Sequence, residues 1–342
     1  MTTTWRDVKL SVLDQSTLSE GSTAAEAIAN TVALAKEADR LGYHRIWLSE
    51  HHNMSILQGS VPEVLLASIG AQTQRIRIGS GGIMLPNHSA YHVAEAFRTL
   101  EALYPGRVDC GIGRASGGDT YSQSLLNPVP EGAMDFPDQV EQLERFFHDE
   151  CKRAIAMPMT AGAPQMWLLS AGGHPDSGRL AAEKGMGLAI ALFINPSASP
   201  EAAQRYRRDF QPSQEFPAPR VAIALNVICA PTIEKLAELK NISDVFRLMR
   251  DSGRYPTAVY SPESLRKIPI DEEAAAYLQR IANREVVGLP ADVKSAIAER
   301  AQIYDADEVM LTSMTYRIQD KLDAYRLIAQ TFALDSPRCS NV

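Results

Sequence analysis

The stretch that decides the fold is RIRIGSGGIMLPNHSAYHVAEAFRTLEALYPGRVDCGIGRA, residues 75–115. It predicts a strand over 76–83, then a helix whose apolar side chains recur every three or four residues, then a second strand over 108–112. Pro105 and Gly106 end the helix before the second strand begins. A strand, a helix and a strand in this order form the repeating unit of a parallel sheet, so the stretch predicts an α/β fold.

The same alternation continues on both sides of this unit, from residue 10 to residue 333. Eight strands are predicted, at 10–13, 45–49, 76–83, 108–112, 166–169, 187–193, 221–229 and 308–312. The spacing of Thr23 with Glu26, and of Ser60 with Glu63, is typical of capping boxes that begin helices. Eight strands with helices between them predict a (β/α)8 TIM barrel. An open, doubly wound sheet is the alternative, because periodicity does not show closure.

The chain is interpreted as one TIM-barrel domain over residues 1–342, with a tail at 334–342. Residues 115–165 and 240–287 are longer than plain connections, and we expect elaborated loops with short helices there. Either loop is a candidate lid over a pocket.

Charge and composition exclude several classes of protein. Lys plus Arg total 34 against 41 Asp plus Glu, and this net charge of -7 disfavours nucleic acid and anionic lipid as partners. The longest apolar run, 188–194, is far shorter than the roughly 20 residues that cross a bilayer. The amino terminus lacks the pattern of a secretory signal, which favours a cytoplasmic location. The four cysteines are scattered, which argues against a zinc site or a disulfide framework.

Polar residues that directly follow a predicted strand are the candidates for chemistry, because a TIM barrel has its active site at the carboxyl ends of the strands. The second strand is followed by four polar residues, Glu50, His51, His52 and Asn53. A solvated turn with one helix-capping histidine is the alternative. A metal site is disfavoured, since His51 and His52 are adjacent and point to opposite sides, and His88 and His92 lack a metal-binding motif and mark a helix entrance.

Glycine-rich segments follow three further strands. Gly81 and Gly82 interrupt the third strand, which indicates either a bulge or a flat ligand against bare backbone. Arg114 follows the fourth strand and suits an anion such as phosphate. The turn after the fifth strand leads into a helix whose N–H groups, with Ser177, would hold a phosphate, and simple helix capping is the alternative.

Taken together, these segments resemble the bacterial luciferase-like flavin monooxygenases. The resemblance covers residues 10–332 and rests on SVLDQS (11–16), DRLGYHRIWLSEHHN (39–53), the stretch 75–115, SGRLAAEKG (177–185) and VVGLPADV (286–293). It is closest to the subgroup that recurs beside natural-product biosynthesis genes.

The resemblance implies a (β/α)8 barrel of the luciferase-like type that uses FMN and O2. Reduced FMN (FMNH2) would come from a separate flavin reductase, and a flavin C4a-peroxide would insert one oxygen atom into a small organic or polyketide-type substrate. His51 would be catalytic, as a hydrogen-bond partner or acid and base beside that peroxide, supported by Glu50 and His52. A homodimer is also implied.

The resemblance further implies the residues that bind the cofactor. A cis peptide bond between Gly81 and Gly82 would lie beneath the flavin ring, and Arg114 would bind the phosphate. The phosphate-binding turn corresponds to Gly173, His174, Ser177 and Gly178, where His174 replaces a small hydroxyl residue of many relatives. A deazaflavin-dependent oxidoreductase and a non-catalytic FMN-binding barrel are the alternatives, and a metallohydrolase is the least favoured.

Overall fold

A computed structural model describes residues 8–126, 134–172 and 175–334 of the chain. Within these residues, ten strands alternate with twelve α-helices. The strands are β1 (Lys9–Asp14), β2 (Arg45–Leu48), β3 (Arg77–Ser80), β4 (Ile83–Met84), β5 (Val108–Gly113), β6 (Gln165–Ser170), β7 (Gly187–Ala191), β8 (Val221–Cys229), β9 (Val286–Gly288) and β10 (Glu308–Thr312). The helices are α1 (Ala24–Arg40), α2 (Pro62–Gly70), α3 (Ala90–Leu103), α4 (Thr120–Leu126), α5 (Phe136–Phe147), α6 (Pro175–Glu183), α7 (Glu201–Asp209), α8 (Ile233–Asp251), α9 (Pro262–Leu265), α10 (Glu272–Arg280), α11 (Pro290–Ile303) and α12 (Ile318–Phe332).

Eight parallel strands close into a barrel in the order β1-β2-β3-β5-β6-β7-β8-β10. Closure is visible in the register, because Glu308 of β10 pairs with Lys9 of β1 on one side and with Ala222 of β8 on the other. This confirms the predicted barrel and excludes the open sheet. The two extra strands are short: β4 continues the path of β3 beside β5, and β9 pairs with the carboxyl end of β8.

Local sequence signals account for most helix boundaries. Thr23 and Glu26 form the predicted capping box at the start of α1. Gly42, with φ +82°, ends the same helix in a conformation that suits glycine. The second predicted capping box, at Ser60, is wrong. The N-cap of α2 is Val61, without a side-chain hydrogen bond, and Pro62 supplies the first helical residue.

The two long segments differ in what they contribute. Residues 115–165, predicted as an elaborated loop, hold α4 and also α5, which packs against α3 and is the barrel helix between β5 and β6. In the second segment, α8 begins at Ile233, before the predicted start at residue 240. The barrel helix between β8 and β10 is α11, so α8 through β9 form the added part.

This added part is anchored over the carboxyl end of the barrel. A separate apolar cluster joins α8 and α9 to the carboxyl end of β8 and to the connection after β2; its buried members are Ile56, Ile228, Ala230, Leu239, Ile242, Val245, Val259 and Leu265. Backbone bridges pair Thr17 with Leu57 and Ser19 with Val259. The arrangement makes α8 a wall above the strand ends.

The opposite, amino end of the barrel is filled by buried charges. Arg45 contacts Asp109 at 2.8 Å and Glu308 at 2.7 Å, and Arg77 contacts the other oxygen of Asp109 at 2.6 Å. The indole of Trp47 donates to Asp109 at 3.2 Å. These contacts fill the amino end of the barrel within the described residues, whereas the cavity described below opens at the carboxyl end. Among the described residues, no helix combines the length and apolar composition needed to cross a bilayer.

Candidate active site

The buried carboxylate of Glu50 ties together the connections that follow β2, β4 and β5. Its Oε1 accepts hydrogen bonds from Nε2 of His52 at 2.8 Å and from Nε2 of His88 at 2.9 Å, and Oε2 accepts from the backbone N–H of Met84 at 2.8 Å. Asn87 donates both to Glu50 at 3.2 Å and to a backbone carbonyl after β5 at 2.8 Å. Three segments of the rim therefore share one anion.

Glu50 and the imidazole of His88 each stabilise the charged form of the other. Burial opposes the charge on Glu50, but hydrogen bonds from His88, Met84 and His52 outweigh it and hold the pKa of Glu50 below its usual range. Burial also opposes a charge on His88, yet the Glu50 carboxylate raises the pKa of His88 above its usual value. In the described part of the chain, no three or more His, Cys, Asp or Glu side chains are grouped to hold a metal ion.

His51 lies in the same connection but makes different contacts. Its Nε2 is 3.1 Å from the amide nitrogen of Gln15, at the end of β1. An amide nitrogen only donates, so Nε2 of neutral His51 accepts and the ring proton is on Nδ1. Burial lowers the pKa of His51, and the Gly117 backbone and the Glu50 charge offset part of this. Nδ1 is buried and has no hydrogen bond of acceptable geometry within the described residues.

The Gly81–Gly82 peptide bond, between β3 and β4, is cis, as the resemblance implied. A Cβ on Gly82 would be 2.6 Å from the carbonyl oxygen of Gly111, and one on Gly81 would be 2.9 Å from Cβ of Trp47. Glycine at both positions is therefore required by the neighbouring strands themselves, with or without a ligand against them.

Arg114 is exposed, directly after β5, and forms no ion pair with another described residue. On the neighbouring strand, β6 leads into α6, where Ser177 and Gly178 are buried near the amino end. Because β5 and β6 are paired, Arg114 and the start of α6 belong to the same part of the rim. The other two predicted phosphate-binding residues, Gly173 and His174, lie outside the described residues.

A cavity of about 830 Å³ opens at the carboxyl end, mainly between the ends of β1 and β10, the connection after β2, and α8. Its lining includes Gln15, His52, Phe193, Asn226 and Arg247. The predicted residues His51, Gly81, Gly82, Arg114, Ser177 and Gly178 are not part of this lining. Gln15 connects the two regions, since it faces the cavity and also bonds to His51.

Sequence reasoning missed two features of this site. His88 does precede α3, but its imidazole binds Glu50, a contact across 38 residues that no local pattern reveals. The α8 wall was also missed, because the segment from residue 240 was predicted to be an elaborated loop with short helices, whereas α8 is a long helix, Ile233–Asp251. The i, i+3 spacing of Arg247 and Arg250 was the available signal that α8 presents two guanidiniums on one face.

Comparison with known proteins gives consistent results along the chain. The family model of luciferase-like monooxygenases matches residues 8–306. The chain is 42% identical over 333 residues to uncharacterized protein YwcH of Bacillus subtilis (strain 168), covering 95% of this chain and 99% of YwcH. It is 34% identical over 327 residues to N-acetyl-S-alkylcysteine monooxygenase of the same organism, covering 92% and 91%.

Solved structures share the fold over the same length. The crystal structure of apo-MsnO8 has a TM-score of 0.86 and 34% identity, covering 96% of this chain and 99% of that one. The oxygenating constituent of 3,6-diketocamphane monooxygenase from Pseudomonas putida, in complex with FMN, has a TM-score of 0.69 over 95% and 98% of the two chains. At 18% identity, that second likeness shows a common fold and no more.

Proposed function

The chain belongs to the luciferase-like monooxygenase family, and from that premise we propose a two-component enzyme that uses reduced FMN and O2. It is a flavin-dependent monooxygenase. In the proposed reaction, one oxygen atom of O2 enters a small organic substrate. The other leaves as water with the two hydrogens of FMNH2, which becomes FMN.

The observation that carries this proposal is the position of His51. Nδ1 of His51 has the Gly117 backbone as a neighbour but no hydrogen bond of acceptable geometry, and a bound group that accepts its proton more directly would lower the free energy. Since burial lowers the pKa of His51, the ring is neutral near pH 7 and keeps its proton on Nδ1. This N–H is the donor that we propose for the reacting group implied by the resemblance.

The phosphate of FMN fits the part of the rim formed by β5 and β6. Arg114 offers an exposed guanidinium, and the amino end of α6, with the Ser177 hydroxyl, offers N–H donors and a favourable helix dipole. When bound, reduced FMN would supply the electrons that activate O2. The chain's own residues would anchor the phosphate, keep the ring on the Gly81–Gly82 segment, and exclude water.

We propose His51 as the catalytic residue. Replacement of His51 by Ala removes the Nδ1 proton, so reduced FMN still binds but oxygen is released as hydrogen peroxide instead of entering substrate. The measurement is product and peroxide per FMNH2 oxidised, with His92→Ala, on the exposed face of α3, as the control. A normal product yield in His51→Ala would remove His51 from the mechanism.

We propose Arg114 as the phosphate ligand. Arg114→Ala should weaken FMN binding by about tenfold while riboflavin binding stays the same, because only FMN carries the phosphate that forms charge-assisted hydrogen bonds. Anaerobic titration of both reduced flavins measures this. Equal weakening of both would contradict the assignment.

The same titration, repeated with F420, shows whether the protein prefers FMN or a deazaflavin. Some proteins of this fold use F420, including a secondary alcohol dehydrogenase with a TM-score of 0.64. Tight F420 binding and weak FMN binding would favour a deazaflavin-dependent oxidoreductase. FMN binding without substrate-dependent oxygen consumption would favour a non-catalytic flavin-binding barrel.

A separate reductase and a homodimer are proposed as partners. The Pseudomonas putida protein is named an oxygenating constituent, which supports a second component that supplies reduced flavin. The substrate named for the Bacillus subtilis relative, an N-acetyl-S-alkylcysteine, supports a small organic substrate. Assignment to the natural-product biosynthesis subgroup stays a prediction.

A further inference from the structure

The cavity beside the proposed flavin site has one strongly cationic wall. Three arginines line it: Arg247 and Arg250 on the last turns of α8, and Arg284 just before β9. We call these three residues the arginine wall. We propose that the arginine wall binds the carboxylate of an organic acid, and that this acid is the substrate of the monooxygenase proposed above, on which this inference rests.

The wall has more cations than anions. Arg247 forms an ion pair with Glu285, whose side chain is 1% exposed. Arg250 and Arg284 share a single carboxylate, that of Asp251, at 2.9 and 3.5 Å. Three guanidiniums therefore face two carboxylates, which leaves one positive charge in a chain whose net charge is -7.

The remaining charges of the cavity do not cancel this excess at the wall. Lys321 is paired with Asp14 at 2.9 Å, so these two contribute no net charge. Asp119 lies on the connection after β5, where it accepts from Asn53 at 2.7 Å and from the backbone N–H of Ser122 at 2.7 Å. Asp119 therefore keeps its negative charge, but this charge lies on another connection and not at the arginine wall.

The Arg247 guanidinium has N–H donors that its ion pair does not use. A guanidinium has five N–H donors, and the ion pair with Glu285 uses Nη2. Glu285 is further engaged by Asn226 and by Ser243, both of which donate to the same oxygen. Among the described residues, Arg247 has no further acceptor, although it lines the cavity. A planar carboxylate matches the fork of such a guanidinium.

The rest of the cavity favours an apolar body on that acid. Its apolar lining residues are Met54, Ile56, Leu57, Phe193, Ile194, Phe246, Pro256 and Met314. A volume of about 830 Å³ is in the range of pockets that hold small organic ligands. The apolar residues share the lining with polar ones such as Gln15, Asn53 and Thr312. One cationic wall beside this mixed lining suits an acid whose alkyl or aryl group packs on the apolar residues.

Two other roles for the arginine wall are less consistent with its position: stabilising the carboxyl end of α8, and binding the FMN phosphate. A cation at the carboxyl end of α8 is stabilised by the dipole, but this applies to Arg250 and not to Arg284, which is outside the helix. The FMN phosphate is proposed to bind elsewhere on the rim. Arg114 and the start of α6 lie beside β5 and β6, whereas the arginine wall follows β8, at least two strands further round the barrel.

The test compares acids with their uncharged amides. Isothermal titration would measure binding of octanoate and octanamide, and of 4-phenylbutanoate and 4-phenylbutanamide, to the protein with and without bound FMN. We expect each acid to bind at least about tenfold more tightly than its amide. Arg250→Gln and Arg284→Gln should each weaken acid binding about fivefold and leave amide binding unchanged. Both side chains are 41% exposed, so these variants should fold.

Arg266→Gln is the matched control, an exposed arginine of the same added part that is outside the cavity lining, and it should change neither probe. Equal affinity for acid and amide, or no acid binding at millimolar concentration, overturns the proposal. Loss of FMN affinity in Arg250→Gln together with acid affinity also overturns it, because the wall would then hold the cofactor phosphate. Acid binding without FMN binding would contradict the proposed function alone.

Discussion

The two ends of this barrel use buried charged residues in opposite ways. At the amino end, Asp109 is in contact with two guanidiniums, Arg45 and Arg77, and with the indole of Trp47. Arg45 in turn has a second carboxylate in Glu308. Each of these charged groups has an opposite charge within 2.8 Å, so the network links β2, β3, β5 and β10 at this end.

At the carboxyl end, paired and unpaired groups lie side by side. Glu50 is as buried as Asp109 and is fully engaged by His52 and His88. Beside it, however, Nδ1 of His51 has no hydrogen bond of acceptable geometry, and Arg114 has no carboxylate partner among the described residues. Buried charge alone therefore does not mark a site. The charges of the amino end are paired with one another, whereas at the carboxyl end the Arg114 guanidinium has no carboxylate partner among the described residues.

The largest expected effect is at the amino end. Asp109→Asn leaves two guanidiniums facing a neutral amide in a fully buried place, so we expect the free energy of unfolding to fall by about 3 to 5 kcal/mol. Urea unfolding followed by circular dichroism measures this. Glu183→Gln removes a carboxylate from an exposed ion pair with Arg179 and should cost less than about 1 kcal/mol. Similar losses in the two variants would contradict the role given to the amino-end network.

A smaller and pH-dependent effect is expected at the rim. Glu50→Gln replaces an anion that accepts from two imidazoles, and the expected loss at pH 6 is roughly 2 kcal/mol. The folded-state pKa of His88 is raised, so its contribution is complete below the unfolded pKa of about 6.5 and is lost as pH rises through the folded pKa. The difference between wild type and Glu50→Gln should therefore be larger at pH 6 than at pH 9.

The same unfolding measurements provide the control for this second prediction. His88→Gln should remove most of the extra stability at pH 6, because it removes the group that titrates. His92→Gln changes an exposed histidine four residues further along and should leave the pH dependence as in wild type. If the difference in the free energy of unfolding between wild type and Glu50→Gln did not depend on pH, Glu50 would not raise the pKa of His88.

Most of the fold could be predicted from the sequence because each barrel strand is a local apolar run followed by a helical pattern. The eight predicted strands correspond to the eight that close the barrel. The strands β4 and β9 were not predicted as separate elements, since two or three residues carry no detectable periodicity. The capping box at Ser60 failed because the spacing was present but Pro62 already fixed the start of the helix.

The site could be predicted only where its residues follow strands directly. His51, Gly81, Gly82 and Arg114 were proposed as site residues this way, because position after a strand decides position on the rim. The partner of Glu50 at the entrance of α3 and the pairing of Glu285 with α8 were not found. Those contacts join segments about 40 residues apart and depend on how the connections and the added part pack over the barrel, which no local pattern encodes.

The smallest expected effect is a difference in pKa between two histidines, His44 at the amino end of the barrel and His88 at the carboxyl end. Burial, followed by the positive charges of Arg45 and Lys9, lowers the pKa of His44 to about 2. The Nη2 nitrogen of Arg45 lies 3.1 Å from Nε2 of His44 and can only donate, so that ring nitrogen must accept. His88, beside an anion, is shifted in the opposite direction.

Nitrogen-15 NMR spectra of the imidazole rings between pH 5 and pH 9 would measure the protonation of His44 and of His88. We expect His44 to stay neutral across the whole range and His88 to lose its proton only above about pH 6.5. In Glu50→Gln, the pKa of His88 should fall, while His44, at the other end of the barrel, should not respond. A His44 ring that titrates in this range would show that the amino end admits water and is not closed. The two ends of the barrel would then no longer differ in whether their charged groups are shielded from water.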